Sequence, residues 1–181
     1  MNIETLSPAG EQLEGQELYE RQKALRATPP FPPGPTIVAA GLQVPENIGA
    51  VLRLADAVGT QQVIFVNEAT PDLTRIQRTS RSTETLVRWE RYTPAEFLER
   101  ASSFQPLIAL ELTTASASIF EVKLPAACAF VIGSEKHGIP APLLHQCQQS
   151  VHIPMFGVNG SMNVTHALAV ALFEWRRQHL G

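Results

Sequence analysis

Cysteine is scarce in this chain of 181 residues: Cys128 and Cys147 are the only two. Their spacing matches no metal site, and Cys128 lies inside an apolar run, where it reads as a small buried hydrophobe. With no disulfide framework in view, the expected setting is reducing and cytoplasmic. Long hydrophobic runs are missing too. None approaches the roughly 18 residues needed to cross a bilayer. The N-terminus carries Glu4, Glu11, Glu14, Glu17 and Glu20, too acidic for a secretory or transit signal. Positive charge is short overall. A net charge of −3 argues against a protein that coats nucleic acid indiscriminately. No G-x-G-x-x-G follows the first strand pattern, which weakens an NAD or FAD reading, and no internal repeat is present.

What is present suffices for a core, since 44% of the residues are hydrophobic. Residues 1–35 read as an extension and linker. Glu11 to Arg26 has helical character, and five prolines in the seven residues 29–35 make a stiff spacer that is neither helix nor central strand. From Thr36 to residue 181 strand and helix patterns alternate. Strands are expected at Thr36–Ala40, Gln62–Val66, Leu86–Tyr92, Leu107–Glu111, Cys128–Ile132 and Ser150–Pro154. Helices are expected from Asn47, as N-cap, to Val58, with Gly59 closing it, then at Ile76–Ser82, Pro94–Ser103, Pro140–Gln146 and Val164–Gln178. This order predicts an α/β fold, a mostly parallel sheet with helices on both faces.

Three segments carry the chemistry. The first is Asn47-Ile48-Gly49 followed by Arg53, Ala55 and Gly59. The second is the strand-to-turn run Val131-Ile132-Gly133-Ser134-Glu135-Lys136-His137-Gly138. The third runs from Ile153-Pro154-Met155 to Ser161-Met162-Asn163-Val164. Glycine turns and a polar helix start at the carboxyl ends of apolar strands are how an α/β sheet builds a ligand crevice. Taken singly, the glycine run also reads as a structural turn, Arg53 as a solvent-facing helix residue, and Ser161 and Asn163 as helix caps. His137 and His166 read as polar packing residues.

Taken together, the three segments resemble the motifs of the TrmH/SpoU family of the SPOUT superfamily over roughly residues 36–178. The resemblance implies a C-terminal deep trefoil knot and a homodimer. It implies transfer of a methyl group from S-adenosyl-L-methionine to a ribose 2′-hydroxyl of RNA. It places Arg53, Asn47, Glu135, Ser161 and Asn163 in the catalytic site, with Arg53 gripping a phosphate and stabilising the developing alkoxide. It assigns the cofactor to Leu110, Glu111, Gly133, Ser134 and Gly138, and to Ile153, Pro154, Met155, Ser161, Met162 and Asn163.

Among RNAs, tRNA is favoured over rRNA, because no added N-terminal RNA-binding domain is evident. Arg75, Arg78, Arg81, Arg88 and Arg91 crowd seventeen residues against Glu84 and Glu90. They read either as a solvated face or as a phosphate-binding patch in which Arg75, Arg78 and Arg81, with Arg53, hold RNA. A different class stays open, a non-catalytic RNA-binding or assembly factor on the same scaffold. No membrane partner and no metal are expected.

Overall fold

The computed structural model has seven short strands, four of them apolar runs that hold β-branched residues, at 36–40, 62–66, 107–110 and 129–132. It describes residues 10–27, 31–68 and 73–180, without the side chains of 25–27, 73 and 75. Residues 28–30 of the proline-rich stretch and the Arg75 side chain lie outside that description.

The chain divides into two units, Met1–Pro32 and Pro33–Gly181. In the first, the described structure is one helix, α1 (Gly15–Ala27). The second contains β1 (Thr36–Ala40), α2 (Pro45–Val58), β2 (Gln62–Val66), α3 (Leu73–Ser80) and β3 (Arg88–Tyr92). It continues with α4 (Pro94–Arg100), β4 (Leu107–Leu110), β5 (Ala117–Ser118), β6 (Ala129–Ile132), α5 (Ala141–Leu144), β7 (Gln149–His152) and α6 (Val164–Gln178). The sheet order is β3-β2-β1-β6-β4-β7-β5, and every ladder is parallel.

The period of two along β1 sorts its side chains onto two layers. Ile37 and Ala39 join one core with α2 and α6, which includes Leu52, Leu172 and Trp175. Val38 and Ala40 join the other, with Phe97 of α4 and Leu143 of α5. Helices on both faces are what a parallel sheet requires. Among the described residues no helix is long and apolar enough to cross a membrane.

Several boundaries differ from the expectation. Asn47 is not the N-cap of α2: Val44 holds that place, and Pro45 opens the helix. Proline's fixed φ and missing N–H suit a first helical position, and this frees the Asn47 side chain for other use. Helix α3 ends at Ser80, because Arg81 (φ 52°) and Ser82 (φ 67°) turn left-handed. The strand expected from Leu86 starts at Arg88 after a 3₁₀ turn. The helix from Pro94 gives way at Ala101 to a second 3₁₀ turn. Strand β5 was not expected; two residues leave no periodicity to read. Residues 36–40, 62–66 and 164–178 have the expected limits.

Candidate active site

The sheet order reverses around β1 and β6, and there the carboxyl ends of β4, β6 and β7 open into a cleft of about 1100 Å³. That is the location at which open parallel sheets take ligands, with room for a cofactor-sized molecule. Each wall follows from local sequence. Strand β6 runs into Gly133, where an added Cβ would collide with the Gly138 carbonyl and the Ile139 nitrogen. Ser134 and Gly138 close the turn through two main-chain hydrogen bonds, at 3.2 and 2.9 Å. Gly138 has φ 63°, and a Cβ there would lie 2.6 Å from Glu111 Oε2. That carboxylate accepts the Ile139 N–H at 3.2 Å and the Leu112 N–H at 3.0 Å. Glu111 therefore braces the turn while lining the cleft.

Leu110 from β4, Ile153 and Pro154 after β7, and Met155 and Met162 from the loop before α6 form the apolar lining. Ser134, Ser161 and Asn163 add polar groups, and the open flank of Gly160 meets no atom within 4 Å. All the residues assigned to the cofactor from the sequence thus line one cleft. Leu112, His152, Asn159 and His166 line it as well. None of these was singled out for the cofactor, since only the fold brings them to the wall.

Of the residues assigned to catalysis, Glu135, Ser161 and Asn163 border the cleft, and Asn47 is joined to it. The Asn47 amide nitrogen donates to Glu135 Oε1. Asn47 Oδ1 accepts from Asn163 Nδ2 at 3.4 Å. Asn163 Oδ1 in turn accepts the Thr165 N–H at 2.8 Å and the Thr165 hydroxyl at 2.6 Å. The donor direction is fixed along the whole chain, because an amide nitrogen only donates and a carboxylate only accepts. Segments far apart in sequence are thereby held in one geometry: α2, the 133–138 turn and the start of α6.

Arg53 lies elsewhere. It is exposed on α2, outside the cleft lining, and has no hydrogen bond or ion pair among the described residues. It sits one turn beyond Gly49, which seats against Thr79 of α3; residues four apart share a helix face. Arg78 and Arg81 are exposed. Arg88 instead pairs with Glu90 at 2.5 Å, and Arg91 donates to the Asn67 carbonyl at 3.1 Å. The Glu90 carboxyl is held below its ordinary range by hydrogen bonds, first from Tyr92 and then from Arg88. Burial pushes the thiols of Cys128 and Cys147 up, to about 12 and about 11, which removes both as nucleophiles. Among the described residues no cluster of His, Cys, Asp or Glu could hold a metal ion.

A seven-stranded parallel sheet with a mixed apolar and polar cleft at its carboxyl edge, bounded by a glycine turn, defines an α/β protein with a ligand-sized crevice. The chain belongs to the SpoU rRNA Methylase family, whose match covers residues 34–173. It is 32% identical over 149 residues to the Haemophilus influenzae protein named 23S rRNA (guanosine-2'-O-)-methyltransferase RlmB, covering 80% of this chain and 60% of that one. It is 25% identical over 148 residues to the mouse tRNA (guanosine(18)-2'-O)-methyltransferase TARBP1, covering 80% of this chain and 9% of that one. A crystal structure of an RNA 2'-O ribose methyltransferase superposes with a TM-score of 0.74 at 33% identity, over 84% of this chain and 59% of the other. The chain spans about three fifths of the bacterial relative's length.

Proposed function

We propose that the chain is an S-adenosyl-L-methionine-dependent RNA methyltransferase acting on a ribose 2′-hydroxyl. The observation that carries this reading is the cleft at the carboxyl ends of β4, β6 and β7, with the Glu135–Asn47–Asn163 chain beside it. Its residues fit the cofactor: Leu110, Ile153 and Met162 offer an apolar slot for a ring, while Ser134, Ser161 and Asn159 offer polar groups along the rest. When bound, the cofactor supplies an electrophilic sulfonium methyl group. The chain's own residues position and polarise the acceptor. Asn47 holds the Glu135 carboxylate in place, and Asn163 ties that pair to α6. Arg53, exposed and without a partner among the described residues, is available to a substrate phosphate and to the charge developing on the attacking oxygen. A guanidinium is too weak an acid to be the proton acceptor, so its role is electrostatic. In-line placement of nucleophile and methyl group accounts for much of the remaining acceleration.

The finer points of the proposal have different supports. Between the two RNAs, the names of similar proteins lean to rRNA and do not support the tRNA preference expected from the sequence: the bacterial relative at 32% identity is named for 23S rRNA, and the mouse relative, at 25%, for tRNA. The trefoil knot rests on the family resemblance; the contacts of α6 with the loop between β5 and β6 are compatible with it. The Trp175 indole donates to the Pro125 carbonyl at 2.9 Å. Gln178 accepts from Leu124 N at 2.9 Å and donates to the Val122 carbonyl at 3.0 Å. Calorimetry with S-adenosylhomocysteine tests the cofactor, and transfer of labelled methyl to isolated tRNA and rRNA tests the reaction. Binding with transfer to one RNA is expected. Failure to bind overturns the cofactor assignment. Binding without transfer to either RNA points to a non-catalytic RNA-binding factor.

A further inference from the structure

His152 is the last residue of β7, half-buried and on the cleft wall next to Ile153. Its Nδ1 lies 3.0 Å from Ser116 Oγ. A serine hydroxyl has one hydrogen and two lone pairs. The Ser116 hydrogen goes to the Thr113 carbonyl at 2.9 Å, and one lone pair receives the Thr113 N–H at 3.1 Å. With the Ser116 hydrogen on the Thr113 carbonyl, the remaining lone pair accepts, and the tautomer that matches this arrangement carries its proton on Nδ1. Thr113 is itself fixed, through a 2.8 Å contact between its hydroxyl and that of Ser150 and by the Ala115 N–H at 3.2 Å. This brace holds the Nδ1 side of the ring and suits that tautomer. In the neutral ring the other nitrogen, Nε2, is then an acceptor, and it has no partner among the described residues. One acceptor without a partner among the described residues thus belongs to a residue on the wall of a slot lined by Leu110, Ile153 and Met162.

A flat apolar slot with a single acceptor at its edge suits a heteroaromatic ring bearing an exocyclic amine. Resting on the cofactor reading above, we infer that His152 Nε2 accepts a hydrogen bond from the amino group of the cofactor's adenine, and that Ser116 enforces the tautomer this requires. His152 is then a specificity-determining residue: it admits an amino-purine and opposes a ring that presents a carbonyl oxygen there, because two acceptors would face each other in a desolvated site.

The test is calorimetry of the whole chain with S-adenosylhomocysteine and with its hypoxanthine analogue, in which a carbonyl oxygen replaces the amine. The wild type is expected to prefer the adenine ligand by about tenfold or more. In His152→Phe, which keeps a ring without a nitrogen, the preference should shrink to about twofold. Ser116→Ala, which leaves the ring in place and unlocks its tautomer, should move the ratio the same way, and it decides the matter where His152→Phe does not fold. Equal binding of the two ligands by the wild type overturns the inference. So does a loss of affinity in the variants that is the same for both ligands and leaves the ratio at its wild-type value, since that is the mark of a merely structural histidine. A wild type that binds the hypoxanthine ligand but not the adenine one reverses the specificity. A wild type that binds neither overturns the cofactor reading itself.

Discussion

Arg53 and Asn47 belong to one helix but occupy opposite environments. Asn47 is buried, with both ends of its amide engaged by the acidic turn and the start of α6. Arg53 is exposed and unpaired among the described residues. Removing Arg53 should therefore cost function and not structure. For Arg53→Ala the expected outcome is a fall in kcat/KM of about 100-fold or more, with S-adenosylhomocysteine affinity within about twofold of wild type. Arg53→Lys should recover only part of the loss, because an ammonium lacks the planar fork. Single-turnover methyl transfer and calorimetry read the two quantities separately, and near-normal turnover in Arg53→Ala rules out the assignment. Asn47→Ala should behave differently. It removes the donor to the exposed Glu135 carboxylate, so only the net worth of the lost hydrogen bonds, about 0.5–1.5 kcal/mol in stability, should accompany the loss of turnover. Residue types in motifs were legible in the sequence. The cleft-wall residues His152, Asn159 and Leu112 were not, since nothing in their local pattern marks them and the fold alone brings them together.

At the scale of elements, the contact between α2 and α3 depends on a missing side chain. A Cβ at Gly49 would drive into the Thr79 side chain and backbone, and Thr79 is itself anchored through its hydroxyl to the Pro45 and Ile76 carbonyls at 3.0 Å each. Gly49→Ala should destabilise the fold by about 1–3 kcal/mol, despite alanine's better helix propensity, because overpacking outweighs it. Denaturant melting measures this, and a stabilised variant would mean that the two helices separate freely. Exposed Arg78 and Arg81 beside this crossing are candidates for phosphate contact. Replacing both by Ala should lower the salt slope of RNA binding by about 0.7–0.9 unit per lost contact, with cofactor affinity unmoved; an unchanged slope places the RNA elsewhere.

Helix α6 offers a pH test. Glu174 accepts from Arg177 Nε and Nη2 and from Gln178 Nε2, each at 2.7 Å. These bonds, that to Arg177 foremost, hold its carboxyl down at about 2, against an ordinary 4.5. A depressed folded-state value means stability that is present above the ordinary value and is lost as pH falls toward about 2. Glu174→Gln should be less stable than wild type at neutral pH by about 1 kcal/mol, discounted because Arg177 is largely exposed. That gap should close between pH 4.5 and about 2.

For the whole molecule, alternation of strand and helix made the α/β class legible, and β1, β2 and α6 have the limits read from their periodicity. The sheet order was not legible, because parallel pairing joins residues far apart in the chain and leaves no local trace. The same holds for the use of the apolar helix faces. Leu168, Ala171, Leu172 and Trp175 of α6, with Val51 and Val58 of α2, are fully or almost fully buried within the one chain. They serve its core and are not available for assembly. A homodimer, implied by the family resemblance, must therefore rest on other surface. Phe156 and Val158, in the loop between β7 and α6, are almost wholly exposed, and Phe173 on α6 is half exposed. Large apolar side chains left in water at the rim of a cleft favour being covered. The expected result in sedimentation equilibrium is a dimer at micromolar concentration. Phe156→Ser with Val158→Ser should shift that equilibrium toward monomer while melting temperature at high dilution stays unchanged, because neither side chain contributes to the buried core. A wild-type monomer at micromolar concentration overturns the dimer outright. A wild-type dimer that survives both substitutions moves the interface to another face, with Phe173 next to be tested.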